Sequence, residues 1–125
     1  MNSRKLLVVD DEDNLRELVQ MCLEDLGGWQ TLTAASGEEC LQILETESVN
    51  AILLDISMPG MDGIAVYEKL QVEAKTQTIP VILLTARVLP SDRAKFSQMG
   101  LTGLISKPIA PTTLVAEVSE ILGWE

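Results

Sequence analysis

With 125 residues the chain fits one domain with room for a real core, and its 46% apolar content suits a globular protein. Net charge is −10 and the nine basic residues form no stripe, which argues against direct nucleic-acid binding, where neutralising phosphates supplies most of the affinity. There is no histidine, so Ser-His-Asp triads, Cys-His pairs and His-ligated zinc are all removed, leaving carboxylates, hydroxyls and lysine to carry any chemistry.

The first residues, Met1-Asn2-Ser3-Arg4-Lys5, lead into no signal-peptide pattern, and no apolar run approaches the ~18 residues a membrane span needs. A first strand is expected over Lys5–Val9, running into Asp10-Asp11. Leu15, Leu18, Val19, Cys22, Leu23 and Leu26 follow at helical spacing, Asp13 or Asn14 is expected to cap that helix, and Gly27-Gly28 ends it. Trp29–Ala34 alternates loosely and reads as the second strand. Ser36-Gly37-Glu38-Glu39 matches a capping box, with Cys40, Leu41, Ile43 and Leu44 as the stripe of the second helix. Cys22 and Cys40 read as buried, reduced small hydrophobes, in keeping with a cytoplasmic protein.

The third strand, Ala51–Leu54, runs into Asp55, and Pro59-Gly60 and Asp62-Gly63 shape the loop beyond it. Ile64, Val66, Tyr67 and Leu70 mark a third helix ending in polar Thr76-Gln77-Thr78. The fourth strand, Val81–Leu84, runs into Thr85; Pro90 opens a fourth helix with Phe96 and Met99, which Gly100 terminates. The fifth strand, Gly103–Ser106, runs into Lys107-Pro108, and Leu114, Val115, Val118, Ile121 and Leu122 define the last helix. Five βα units with right-handed crossovers make a doubly wound α/β sandwich, one domain over residues 1–125 with no effector domain expected in this chain.

Short aliphatic runs bounded by turn residues are the mark of parallel strands buried on both faces, and ligands of such sheets bind beyond the carboxyl ends of the strands. Asp10, Asp11, Asp55, Thr85 and Lys107 therefore converge on one edge. Two like charges ~4 Å apart cost about 4 kcal/mol at an effective dielectric of 20. A cation relieves that cost, and an all-oxygen set suits Mg²⁺, which keeps waters while taking one or two carboxylates and a phosphate oxygen. Lys107 offers a point charge to a phosphoryl oxygen and Thr85 a hydroxyl donor. Asp55, alone on its strand end, is the natural nucleophile. Each residue by itself has a plainer reading: a turn or cap Asp, a surface Lys-Pro turn, a Thr of high strand propensity. It is their joint order at separate strand ends that points to phosphate chemistry.

The segments Leu7-Val8-Val9-Asp10-Asp11-Glu12, Leu53-Leu54-Asp55 through Asp62-Gly63, Leu84-Thr85-Ala86 and Ser106-Lys107-Pro108 together resemble the receiver domain of two-component response regulators, over essentially the whole chain. The resemblance implies a flavodoxin-like (βα)5 fold with strand order 2-1-3-4-5. It implies that Asp55 accepts a phosphoryl group from a phosphohistidine on a sensor histidine kinase or phosphotransfer domain. It further implies Mg²⁺ held by Asp10, Asp11, Asp55 and the backbone carbonyl of Ser57. Lys107 and Thr85 then bind the phosphoryl group, a cis peptide bond precedes Pro108, and the fourth helix, fifth strand and fifth helix form the surface that meets a downstream protein or a second copy. Two departures stand out: Leu104 occupies the strand-five position that is commonly aromatic, and Ser57 and Arg87 occupy the two positions that influence hydrolysis of the aspartyl phosphate. The competing readings are an aspartate-nucleophile phosphatase of the haloacid dehalogenase type, a binding module that is never phosphorylated, and a flavin-binding protein. The first lacks an Asp at Ser57, the second leaves the complete acidic pocket without a purpose, and the third lacks a phosphate loop at Asp10-Asp11-Glu12.

Overall fold

The computed structural model describes residues 4–86 and 89–124. Five strands alternate with five helices: β1 Lys5–Val9, α1 Asp13–Asp25, β2 Gln30–Ala34, α2 Gly37–Thr46, β3 Ala51–Asp55, α3 Gly63–Gln71, β4 Val81–Thr85, α4 Pro90–Gln98, β5 Gly103–Ser106 and α5 Leu114–Leu122. All pairings are parallel and the order is β2-β1-β3-β4-β5, as the resemblance implied.

Strand alternation divides the core in two. Leu6, Val8, Ala51, Leu53, Ile82, Leu84 and Ile105 face α1 and α5, packing on Val19, Leu23, Leu114 and Val118. Leu7, Val9, Ile52, Leu54, Val81 and Leu83 face α2, α3 and α4, packing on Cys40, Leu44, Val66, Leu70 and Phe96. The central strands are apolar throughout because both faces are covered. Cys22 and Cys40 are free and buried, one in each layer.

Four local expectations need correction. The second strand begins at Gln30, and Trp29 sits just before it as a buried core residue. Neither Asp13 nor Asn14 caps α1: Glu12 is the N-cap residue, without a side-chain cap bond. Instead the buried Asp10 carboxylate, two residues earlier, takes the Glu12 N–H at 2.9 Å. The third helix ends at Gln71 and does not extend to Thr76-Gln77-Thr78. Thr76 is buried beyond it, its hydroxyl donating to the Leu70 carbonyl at 2.7 Å, so a polar turn satisfies the helix end. In the Ser36 box, Ser36 Oγ accepts from the Glu39 N–H as expected, but the Glu39 carboxylate takes the N–H of Ala35, one residue further back than the usual reciprocal bond.

Gly63 is the first residue of α3, and its N–H donates to the Ile56 carbonyl at 3.0 Å. A Cβ at that position would collide with the Asp55 carbonyl oxygen and lie 2.8 Å from Ile56 Cα. The sequence marks Asp62-Gly63 as a turn. The structure adds that glycine lets α3 start directly against the end of β3, while the Asp62 carboxylate caps the helix by accepting from the Ala65 N–H at 2.9 Å.

Candidate phosphoryl-accepting site

The carboxyl ends of β1, β3, β4 and β5 bring the expected residues together. Asp55 is the last residue of β3 and is buried, as is Asp10 directly after β1; Asp11 is exposed. Carboxylate oxygens of Asp10, Asp11 and Asp55 all lie within 4.8 Å of one another. Lys107 Nζ is 2.9 Å from Asp55 Oδ1 and 3.9 Å from Asp10 Oδ2. The Ser57 N–H donates to the same Asp55 Oδ1 at 3.2 Å.

Asp10 shows the electrostatic tension most clearly. Its Oδ1 accepts from the Glu12 N–H, while its Oδ2 is buried with no hydrogen-bond partner. Burial, above all, pushes its carboxyl up to about 6, and the neighbouring Asp55 charge adds to that. The Glu12 N–H and the Lys107 ammonium act in the opposite direction without cancelling it. A buried oxygen without a hydrogen bond, beside two further carboxylates, is a fitting place for a hard cation. Oxygen donors on one side with Asp11 open to solvent match the half-hydrated shell that Mg²⁺ prefers.

Thr85 is buried at the end of β4, and its carbonyl accepts from the Lys107 N–H at 2.9 Å, fixing the backbone from which the lysine reaches the aspartates. The Lys107-Pro108 peptide is cis, as the resemblance implied. Leu104 lies away from the carboxylates. It pairs in register with Leu83, is half-buried, and packs on the layer that α4 covers. By strand alternation Thr85 falls on that same face. Arg87 lies outside the described residues.

Sequence reasoning missed Arg16. Its guanidinium donates to the Asp10 carbonyl at 2.8 Å through Nη1 and pairs with Asp13 Oδ1 at 2.6 Å through Nη2. A signal was available. A cation in the first turn of a helix opposes the helix dipole, so an arginine there needs a local reason.

A sequence profile of the response regulator receiver domain matches residues 6–119. The chain belongs to that family. It is 39% identical over 117 residues to the response regulator Rre1 of Synechocystis sp., covering 94% of this chain and 51% of that protein. The chain thus spans about half the length of the curated relatives it matches. Among solved structures, it superposes on the chemotaxis protein CheY4 of Vibrio cholerae with a TM-score of 0.88 at 28% identity, covering 96% of this receiver domain and 99% of that chain. It shares its fold with the receiver domain of the sensor histidine kinase PA1611 of Pseudomonas aeruginosa PAO1 (TM-score 0.83, 24% identity, 98% and 99% covered), whose structure has a magnesium ion coordinated in the active-site cleft. Receiver domains are signalling modules of two-component systems, and this chain gathers Asp10, Asp11 and Asp55 at the carboxyl end of its sheet.

Proposed function

We propose that Asp55 is the phosphoacceptor of this receiver domain and that its donor is a phosphohistidine on a sensor kinase or histidine phosphotransfer domain. The observation that carries the reading is the pairing of a buried Asp55 with Lys107 at 2.9 Å, next to an Asp10 Oδ2 that is buried without a hydrogen bond. An Asp55 carboxylate oxygen bonds to phosphorus as the P–N bond breaks, and the imidazole nitrogen leaves with the electron pair. Lys107, already in the site, turns from the carboxylate to a phosphoryl oxygen, and the Thr85 hydroxyl donates to another. Asp10, Asp11, Asp55 and the Ser57 carbonyl would hold Mg²⁺, which when bound neutralises charge on the phosphoryl oxygens. Ser57, exposed two residues after the acceptor, and Arg87 tune how fast water removes the group.

The phosphoryl group adds roughly −1.5 to −2 charge, which Thr85 and Lys107 are placed to answer. The response leaves through the face of α4, β5 and α5. There Phe96, Leu101, Leu104 and Ile121 line a groove of about 260 Å³. Its reader is a downstream protein or a second copy of the domain. Among the described residues no helix is long and apolar enough to cross a membrane. The reading puts the domain in the cytoplasm beside its kinase, and a net charge of −10 disfavours direct contact with nucleic acid.

Incubation with acetyl phosphate and Mg²⁺ should add one phosphoryl mass, lost in Asp55→Ala and on chelation. Full labelling of Asp55→Ala would place the acceptor elsewhere. Beryllofluoride, a phosphoryl mimic, should move amide resonances in α4, β5 and α5. Changes confined to the loops after β3 and β4 would remove Leu104 and its groove from the output.

A further inference from the structure

Asp10 and Asp11 lie on a short loop between β1 and α1, and the charges it carries push it away from Asp55. Lys107 counters that repulsion from the front, by direct approach to both buried carboxylates. Arg16 acts from behind. It projects from α1 toward the helix N-terminus, the usual direction for a long helical side chain, and the side chain as a whole is only 17% exposed. One arm of the guanidinium holds the Asp10 carbonyl, the other holds Asp13, and the Arg16 N–H donates to the Glu12 carbonyl at 2.9 Å. With the Glu12 N–H bound to Asp10 Oδ1, every residue from Asp10 to Asp13 except Asp11 is tied into one small network. Asp11 is left as the exposed member that faces the cation site.

We propose that Arg16 is the positioning residue of the metal loop: by bridging the Asp10 carbonyl and the Asp13 carboxylate it holds Asp10 and Asp11 against Asp55 and so sets the affinity for Mg²⁺. This rests on the Mg²⁺ reading of the acidic site given above. Arg16 touches neither phosphoryl group nor acceptor and acts only through the loop. Its charge alone has the opposite effect, because a guanidinium behind the site repels a dication. The sign of a mutational change therefore separates position from charge.

Arg16→Gln and Arg16→Met both remove the charge; the first keeps one N–H donor group and the second none. Calorimetric titration with Mg²⁺ alone should show weaker binding in both, about tenfold in the methionine variant as for the loss of an outer-sphere support, and less in the glutamine variant. The loss should persist at 0.5 M salt, where exposed charges are screened. In the metal-free protein, amide hydrogen exchange at Glu12 should speed up in the same order, while thermal stability, measured alongside, need not follow it. Tighter Mg²⁺ binding in both variants would reduce Arg16 to a repelling charge. A lowered melting temperature with unchanged Mg²⁺ affinity and unchanged Glu12 exchange would reduce it to a structural residue. Wild-type protein that takes up no Mg²⁺ would overturn the metal reading itself, whereas wild-type binding with unaltered variants would overturn the role of Arg16 alone.

Discussion

At the amino-terminal edge of the sheet, groups brought from distant parts of the chain pack on one another through ring, cation–π and backbone contacts. Trp29 and Trp124 meet edge to face with centroids 5.2 Å apart, and the Arg4 guanidinium lies 4.4 Å from the centre of the Trp124 ring. Lys5 and Asn50 exchange hydrogen bonds, the Lys5 N–H to Asn50 Oδ1 at 2.8 Å and the Asn50 N–H to the Lys5 carbonyl at 2.7 Å. At the carboxyl-terminal edge, the same strands end in carboxylates with one lysine between them and one buried carboxylate oxygen that accepts no hydrogen bond. Both edges are built by the same parallel pairing, so the contrast comes from side chains alone. One edge is closed by contacts among uncharged and oppositely charged groups, and the other gathers three carboxylates around a single lysine.

The largest effect should come from relieving that charge. The Asp10 carboxyl is raised from 3.8 to about 6, so the folded state holds its proton more tightly than the unfolded chain. The sign follows: the contribution to stability is complete below about pH 4 and is lost as pH rises through 6, leaving the metal-free protein penalised at pH 7 by about 3 kcal/mol. Asp10→Asn should therefore stabilise the metal-free protein at pH 7 by up to that amount and flatten its stability between pH 4 and 7. Denaturant titrations in a chelator at several pH values measure this. An asparagine variant that is less stable at pH 7 would mean that this edge is as well satisfied as the other.

The opposite edge should respond with the opposite sign. Trp124→Ala removes an aromatic pair and a cation–π contact, worth together about 2 kcal/mol at a half-buried site. Phosphorylation by acetyl phosphate should not change under conditions where the variant is folded. If labelling falls in step with the tryptophan contact, the two edges are coupled through β1, and the division between them fails.

How much of this was legible in the sequence follows from the range of each interaction. The strands and helices could be read because apolar periodicity is local, and the aspartates could be read because they close strands whose direction is fixed by parallel pairing. The start of α1 could not, since Asp13 and Asn14 have the chemistry of a cap, yet Glu12 takes the N-cap place without a side-chain bond and its own N–H goes back to the Asp10 carboxylate. The end of α3 was misplaced because Thr76 serves a helix carbonyl from outside the helix. Trp29 with Trp124, and Tyr67, whose hydroxyl donates to the Met99 carbonyl at 2.9 Å, pair residues far apart in sequence, and nothing in their local patterns announces a partner. The acidic constellation was visible without its support: an arginine in the first helical turn hints at a local partner, but the backbone oxygen that Arg16 holds has no signature of its own.

The smallest expected effect tests whether the carboxyl-terminal edge is functional along its whole length. Ser36 lies at that edge just after β2, the strand farthest from β5, and its hydroxyl accepts the Glu39 N–H at 3.1 Å. Asp10 is its nearest link to the acidic site, through the Asp10 N–H donating to the Ala34 carbonyl at 3.1 Å. A cap bond of this kind contributes about 1 kcal/mol, and Glu39 still binds the Ala35 N–H when the serine is gone. Ser36→Ala should thus lower stability by about 1 kcal/mol in denaturant unfolding and leave both Mg²⁺ affinity and Asp55 labelling at wild-type values. The charge-crowded region would then run only from β1 to β5, with the β2 end belonging to the satisfied part of the molecule. A Mg²⁺ affinity that weakens in Ser36→Ala would extend the functional edge across Ala34 to α2, since the Asp10 backbone bond is the route by which a loosened α2 start reaches the carboxylates.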